Sequence, residues 1–265
     1  VTTEHRVTDP DDLSRIRTAL DVAEAVLAPF TPGAIEARMK QGDDPVTAAD
    51  LAVDAALRES LPRPGEGWLS EETADDASRL SCERVWVVDP VDGTREFVAG
   101  IPEWGVSVGL VVGGKPVAGG ILNPTAGLRI VGSVNDGVIV NGEPARTTAR
   151  TDLRGAVVFA SRSEVKRGEW DRFFATEISV RTMGSAAFKL ASVAAGWGDA
   201  TWTLVPKHEW DVAGGAALVL AGGGAVFGPD GEEIFFNQAN PKLTGFVAVA
   251  GGLADPVKAF LKSFR

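Results

Sequence analysis

Apolar residues recur at helical spacing from Asp11 to Phe30 (Leu13, Ile16, Leu20, Ala23, Val26, Leu27), and Pro29 and Pro32 stop the pattern. That predicts a first helix. Ile35–Lys40 reads as a short strand, followed by Gln41-Gly42-Asp43-Asp44-Pro45, a polar loop expected to be mobile. Thr47-Ala48-Ala49-Asp50 reads as a capping box opening a helix to Leu61. After a loop from Pro62 to Gly67, Trp68-Leu69 precede Ser70-Glu71-Glu72 and an acidic stretch, also expected to be mobile, through Asp76. Val85-Trp86-Val87-Val88 is unbroken apolar sequence, the mark of a strand buried on both faces. It runs into Asp89-Pro90-Val91-Asp92-Gly93-Thr94, where Asp-Pro and Asp-Gly signal a sharp bend opening a helix at Gly93-Thr94.

Val106–Val112 and Pro116–Ile121 flank Gly113-Gly114 as a hairpin, and Arg129–Val131 and Val138–Val140 continue it antiparallel. The character changes between Thr147 and Arg154. Beyond it, strands (Ala156–Ala160, Ile178–Arg181, Ala200–Leu204, Gly245–Ala250) alternate with helices (Glu164–Phe174, Ser185–Ala195, Trp210–Ala221, Pro256–Phe264). This alternation predicts a layered α/β chain. The expected organisation is an α+β half over 1–148 and an α/β half over 149–265, joined in one compact catalytic unit.

Composition narrows the class. The chain is 45% hydrophobic and 23% charged over 265 residues, ordinary for a soluble globular protein with a sizeable core. Cys82 is the single cysteine, so no intrachain disulfide forms and a cytoplasmic setting is expected. No apolar run is long enough to span a membrane, and no basic-then-apolar leader is visible. A net charge of −10 argues against nucleic-acid polymers as partners. A small anionic substrate fits only if bound cations reverse the local field.

Candidate chemistry gathers at the opening bend. Asp89 and Asp92 leave a buried strand beside a helix start, an arrangement suited to a divalent cation together with a phosphate. Glu71 is a further hard-oxygen candidate, although Ser-Glu-Glu alone is commonest in a solvated loop. Asp50 alone reads as a helix-capping residue, and Asp211 as a first-turn acid after Trp210. No Gly-x-x-x-x-Gly-Lys-Ser/Thr loop occurs, and Gly222-Gly223-Gly224 reads as a helix end.

Pro45-Val46-Thr47-Ala48-Ala49-Asp50, Ser70-Glu71-Glu72, Asp89-Pro90-Val91-Asp92-Gly93-Thr94 and Trp210-Asp211-Val212-Ala213-Gly214, in this order, resemble the motifs of the inositol monophosphatase superfamily. The resemblance covers nearly the whole chain. It implies an αβαβα sugar-phosphatase sandwich with a mixed first sheet and a second, C-terminal sheet. It also implies two, or three, Mg²⁺ ions held by Glu71, Asp89, the Val91 carbonyl, Asp92 and Asp211, with Asp89 bridging, and inhibition by Li⁺. Asp50 and Thr94 would activate the attacking water, Glu71 would assist beside a third ion, and the Gly93 and Thr94 amides would hold the phosphate. The reaction would be direct attack by water, without a phosphoenzyme.

The resemblance leaves several phosphomonoesters open. Leu69-Ser70-Glu71-Glu72 and Asp92-Gly93-Thr94-Arg95-Glu96-Phe97 are similar to the branch acting on 3′-phosphoadenosine 5′-phosphate, the substrate expected first. Leu204 stands where inositol monophosphatases tend to carry a substrate-binding glutamate. Against that, Gly184-Ser185-Ala186-Ala187-Phe188-Lys189 places its lysine one residue late for the nucleotidase pattern, and Ile101-Pro102-Glu103-Trp104 leans toward inositol. Inositol phosphate, fructose 1,6-bisphosphate and histidinol phosphate are the alternatives. Ser185, Lys189 and Arg162 are substrate candidates, the last two for a second phosphate, alongside Asp92 and Asp211. Haloacid-dehalogenase phosphatases carry one residue between their two acids; here Pro90 and Val91 make two. A non-catalytic metal sensor is the remaining reading, and a monomer or homodimer is expected.

Overall fold

The computed structural model describes residues 8–39 and 45–264. The chain opens with helix α1 (Asp12–Leu27), an antiparallel pair of short strands β1 (Ala37–Met39) and β2 (Pro45–Thr47), and helix α2 (Ala48–Ser60). The expected loop at Gln41–Asp44, and Lys40 before it, lie outside the described residues. Thr47 caps α2 through the foreseen box, with Asp50 closing it from the third helical position.

Seven strands form the first sheet in sequential order: β3 (Gly67–Ser70), β4 (Arg84–Asp92), β5 (Gly105–Val112), β6 (Lys115–Asn123), β7 (Leu128–Ser133), β8 (Gly137–Val140) and β9 (Glu143–Ala145). Only β3 and β4 run parallel; the others pair antiparallel. The helix α3 (Thr94–Ala99) lies between β4 and β5. Burial on both faces explains the unbroken apolar run of β4. Trp86 and Val88 pack against α1 and α2, whereas Val85 and Val87 point into the layer beyond.

The second sheet is mixed, ordered β11-β10-β12-β16-β14. Its members are β10 (Val157–Ser161), β11 (Ser179–Met183), β12 (Ala200–Thr203), β14 (Ala225–Phe227) and β16 (Phe246–Val249). A two-residue ladder, β13 (Lys207–His208) with β15 (Lys242–Leu243), stands apart from it. Helices α6 (Ala186–Ala194) and α7 (Glu209–Ala221) fill the space between the sheets, sharing one apolar cluster with both. The outer face of the second sheet carries Trp170, Phe173 and the apolar side of α8 (Ala254–Lys262). The layers therefore read αβαβα, the sandwich expected of inositol monophosphatases.

Two expectations need correction. The single helix foreseen over Glu164–Phe174 is two short ones, α4 (Arg162–Lys166) and α5 (Asp171–Phe174), because Gly168 takes φ +78 and breaks the helical run. The stretch through Asp76, foreseen as mobile, is tied down at several points. Thr73 donates to Asp54 at 2.6 Å, and Asp75 accepts from Arg79, itself only 1% exposed, at 2.7 Å.

Close backbone approach sets where α7 lies. A Cβ on Gly119 of β6 would fall 2.2 Å from the Gly214 carbonyl oxygen, and one on Gly109 of β5 would fall 2.7 Å from the Gly214 nitrogen. Glycine at these crossings lets α7 press onto the first sheet, which brings its first turn over the end of β4.

Candidate active site

The C-terminal end of β4 delivers Asp89, Val91 and Asp92, all buried. The pairing with β5 shifts between Asp89 and Asp92, so the strand bends at the proline foreseen to bend it. Gly93 then turns with φ +92 and α3 begins at Thr94. Glu71 follows β3, the parallel neighbour of β4, and Asp211 sits in the first turn of α7. These elements meet in a cavity of about 490 Å³ lined by Glu71, Asp89, Val91, Asp92, Gly93 and Thr94 from the first half. Ser185, Lys189 and Asp211 line it from the second half.

Asp50 contacts the site from below. Its Oδ2 accepts from the Thr47 backbone amide at 2.9 Å and from the Thr47 hydroxyl at 2.5 Å, while Oδ1 accepts from Thr94 Oγ1 at 3.0 Å. The Thr94 hydroxyl also lies 2.9 Å from the Val91 carbonyl oxygen. Capping and contact with Thr94 thus fall on different oxygens of one carboxylate. Asp92 Oδ2 accepts from both Ser185 Oγ and the Ala187 amide at 2.5 Å. Asp211 Oδ2 accepts from the His208 amide at 3.1 Å.

Electrostatics explain what this arrangement lacks on its own. Burial raises the Asp89 carboxyl well above its ordinary range, and the charges of Glu71, Asp92, Asp211 and Asp50 raise it further. Burial likewise carries Asp211 up to about 6, against the pull of Lys207. Asp50 is raised by burial in spite of its hydrogen bonds from Thr47 and Thr94. Opposite them, burial and the charge of Lys207 bring Lys189 down to about 8, its ammonium donating to the Ser185 carbonyl at 2.8 Å.

Arg162 is not brought to the cavity wall. Its Nη2 donates to Glu103 at 2.6 Å and its Nη1 lies 3.5 Å from Glu96, while its neighbours Ser161 and Ser163 do line the cavity. Several lining residues escaped the sequence reading: Arg95, Lys207, His208 and Lys242. Arg95 lies inside the Asp92–Phe97 motif and Lys207 shortly before the Trp210–Gly214 motif, so both could have been noticed. Lys242 carries no local signal, since only the β13–β15 ladder brings it beside His208.

One acidic group elsewhere is tighter: among the described residues Asp9, Asp11 and Asp12 bring their oxygens within 4.8 Å of one another. Arginines answer those charges, Arg84 at 2.5 Å from Asp12 and Arg63 at 2.6 Å from Asp11. Among the described residues the cavity acids form no group so tight.

The model of the inositol monophosphatase family matches residues 10–256. The inositol-1-monophosphatase of Mesorhizobium japonicum is 36% identical over 208 residues, covering 75% of this chain and 77% of its own. That of Mycobacterium bovis is 33% identical over 252 residues, covering 88% and 83%. Among solved structures, the inositol monophosphatase of Anabaena superposes with a TM-score of 0.77 at 26% identity, covering 95% of both chains. CysQ from Bacteroides thetaiotaomicron, a bacterial family member, shares the fold at a TM-score of 0.75 and 23% identity, over 92% of this chain and 99% of its own.

Proposed function

The chain belongs to the inositol monophosphatase family and is a phosphoric monoester hydrolase, and we propose that it is Mg²⁺-dependent and acts on a small phosphorylated polyol of the inositol monophosphate class. The observation that carries this reading is the convergence of Glu71, Asp89, Val91, Asp92 and Asp211 with Gly93 and Thr94 on one cavity. The names of the curated relatives support the substrate class.

The donor set fits hard divalent cations. Every candidate ligand is an oxygen, and burial together with repulsion among the neighbouring acids raises Asp89, a cost that a cation would offset. Glu71, Asp89, the Val91 carbonyl, Asp92 and Asp211 would hold the ions. When bound, the ions supply charge neutralisation at the phosphoryl group and the departing oxygen. Thr94 accepts a proton from the attacking water and passes its own to Asp50 Oδ1, whose burial makes it a better base than a solvated carboxylate. The Gly93 and Thr94 amides, at the start of α3, would hold the phosphate. Ser185 and the Ala187 amide fix one oxygen of Asp92 and leave the other for the cavity.

A specific observation favours a second reading, 3′-phosphoadenosine 5′-phosphate. Lys189 and Lys207 share the cavity wall, and Lys207 stands 3.9 Å from Glu164. Two neighbouring ammonium groups on one wall suit a second phosphate. Leu204 faces a different hollow, beside Trp170 and Arg172. Comparison of kcat/KM on inositol 1-phosphate, 3′-phosphoadenosine 5′-phosphate and fructose 1,6-bisphosphate decides between them. Preference for inositol 1-phosphate supports the first reading, and a tenfold preference for the adenosine bisphosphate replaces it. Lithium is expected to inhibit at millimolar concentration; insensitive activity contradicts the assigned ion positions.

A further inference from the structure

Glu103, in the loop between α3 and β5, does not itself line the cavity and has no part in the reaction described above. Its carboxylate nevertheless joins the two halves of the site. One oxygen, Oε2, accepts from Arg162 Nη2 and from the Gly184 backbone amide, both at 2.6 Å. Gly184 leads directly into Ser185, which adopts φ +50 and ψ 125, a conformation L-residues rarely take. Backbone strain of this kind costs on the order of 1–3 kcal/mol and persists only where its surroundings over-determine it. Here they do so from two sides. Glu103 holds the residue before Ser185, and Asp92 accepts from the Ser185 hydroxyl and the Ala187 amide.

The loop that carries Glu103 is itself anchored. Trp104 is buried and packs edge-on against Phe97 of α3, with ring centroids 4.6 Å apart. The turn after β4 lies against it: a Cβ on Gly93 would stand 3.0 Å from the Glu103 carbonyl and 3.2 Å from Ser185 Cβ. The turn carrying Asp92, the loop carrying Glu103 and the start of α6 are therefore in mutual contact.

We propose that Glu103 is a positioning residue for Asp92, acting through the Gly184–Ser185 turn that it clamps against Arg162. Removing the clamp frees the strained turn to relax, and the two donors that aim the Asp92 carboxylate then move with it. The consequence is weaker cation binding. This inference rests on the assignment of Asp92 as a cation ligand in the proposed function.

The test is calorimetric titration of the 265-residue chain with MgCl₂, in wild type and in Glu103→Ala, Glu103→Gln, Ser185→Ala and Asp92→Asn variants. Melting curves taken alongside report whether each variant is folded. Loss of an orienting partner behind a metal ligand commonly costs 10–100-fold in affinity, so Glu103→Ala is expected to weaken Mg²⁺ binding about tenfold or more. Glu103→Gln keeps an oxygen for the Gly184 amide and should fall between; if the alanine variant does not fold, this variant carries the test. In the Glu103→Ala, Ser185→Ala double variant the two losses should not multiply, because both act through one turn. Wild-type Mg²⁺ affinity in folded Glu103→Ala, or in Glu103→Gln where the alanine variant is unfolded, overturns the proposal. So do losses that multiply as independent effects. If Asp92→Asn binds Mg²⁺ like wild type, the underlying ligand assignment fails and takes the proposal with it. A loss in Asp92→Asn without one in Glu103→Ala overturns the positioning role alone.

Discussion

Asp50 Oδ1 lies 3.0 Å from the hydroxyl of Thr94, while the other oxygen of the same carboxylate closes the cap of α2. A residue that looks purely structural in sequence thus reaches the site through its second oxygen. The helix fixes the carboxylate, and the carboxylate fixes the hydroxyl. The division separates two roles that mutation can tell apart. Thr94→Val leaves the cap intact and should lower kcat by about 10²–10⁴, the usual range for a lost acid–base partner, with little change in melting temperature. Asp50→Asn should lower kcat similarly and also cost about 1 kcal/mol of stability through the weakened cap. Steady-state kinetics with thermal melts check both, and a fast Thr94→Val enzyme contradicts the role.

Asp92→Asn should remove most activity and leave the fold intact. The amide oxygen of asparagine still accepts from Ser185 and Ala187, so the contact between the halves survives. The charge facing the cavity does not. Circular dichroism and phosphate release measure the two effects separately.

Gly119→Ala should displace α7. The added methyl would meet the Gly214 carbonyl at 2.2 Å, and backbone cannot swing aside as a side chain can. A destabilisation of about 1–3 kcal/mol is expected, typical of overpacking, with a loss of Mg²⁺ affinity because Asp211 rides on that helix. Denaturant unfolding with calorimetry tests both, and unchanged stability would contradict the close crossing.

Glu66 makes stability depend on acid. Burial by itself would raise its carboxyl, but hydrogen bonds from Arg15, Trp86, the Arg63 amide and Arg84 outweigh this and hold it at about 2, below the ordinary 4.5. A carboxyl depressed in the folded state stabilises fully above its unfolded value, and that contribution disappears as pH falls from about 4.5 through about 2. The shift corresponds to about 3 kcal/mol. Glu66→Gln should therefore be destabilised by an amount of that order at pH 7, with the gap to wild type closing toward pH 2 in urea unfolding.

The architecture was legible because its signals are local. The apolar run Val85–Val88, the Thr47–Asp50 capping box and the Gly113-Gly114 hairpin depend on neighbours in sequence, and the structure forms them where the pattern places them. The helix over Glu164–Phe174 misled because helical spacing of apolar residues survives a break when both pieces pack on the same sheet. Parts of the site were invisible for another reason. Lys242 reaches the cavity through pairing of two short strands far apart in sequence, and Glu103 meets Gly184 across 81 residues. Such meetings are properties of the fold and leave no spacing to read. Arg162 shows the converse: a cation in a suitable segment, drawn instead to Glu96 and Glu103.

The central claim is cation-dependent hydrolysis by water at the cavity between Asp89 and Asp211. Its most direct test is phosphate release from inositol 1-phosphate by the purified chain in ¹⁸O-labelled water, with and without Mg²⁺. Release that requires Mg²⁺, stops on chelation and places one solvent oxygen in each phosphate is the predicted result. Release that continues without divalent cation, or a trapped phosphoryl group on Asp89, would contradict it.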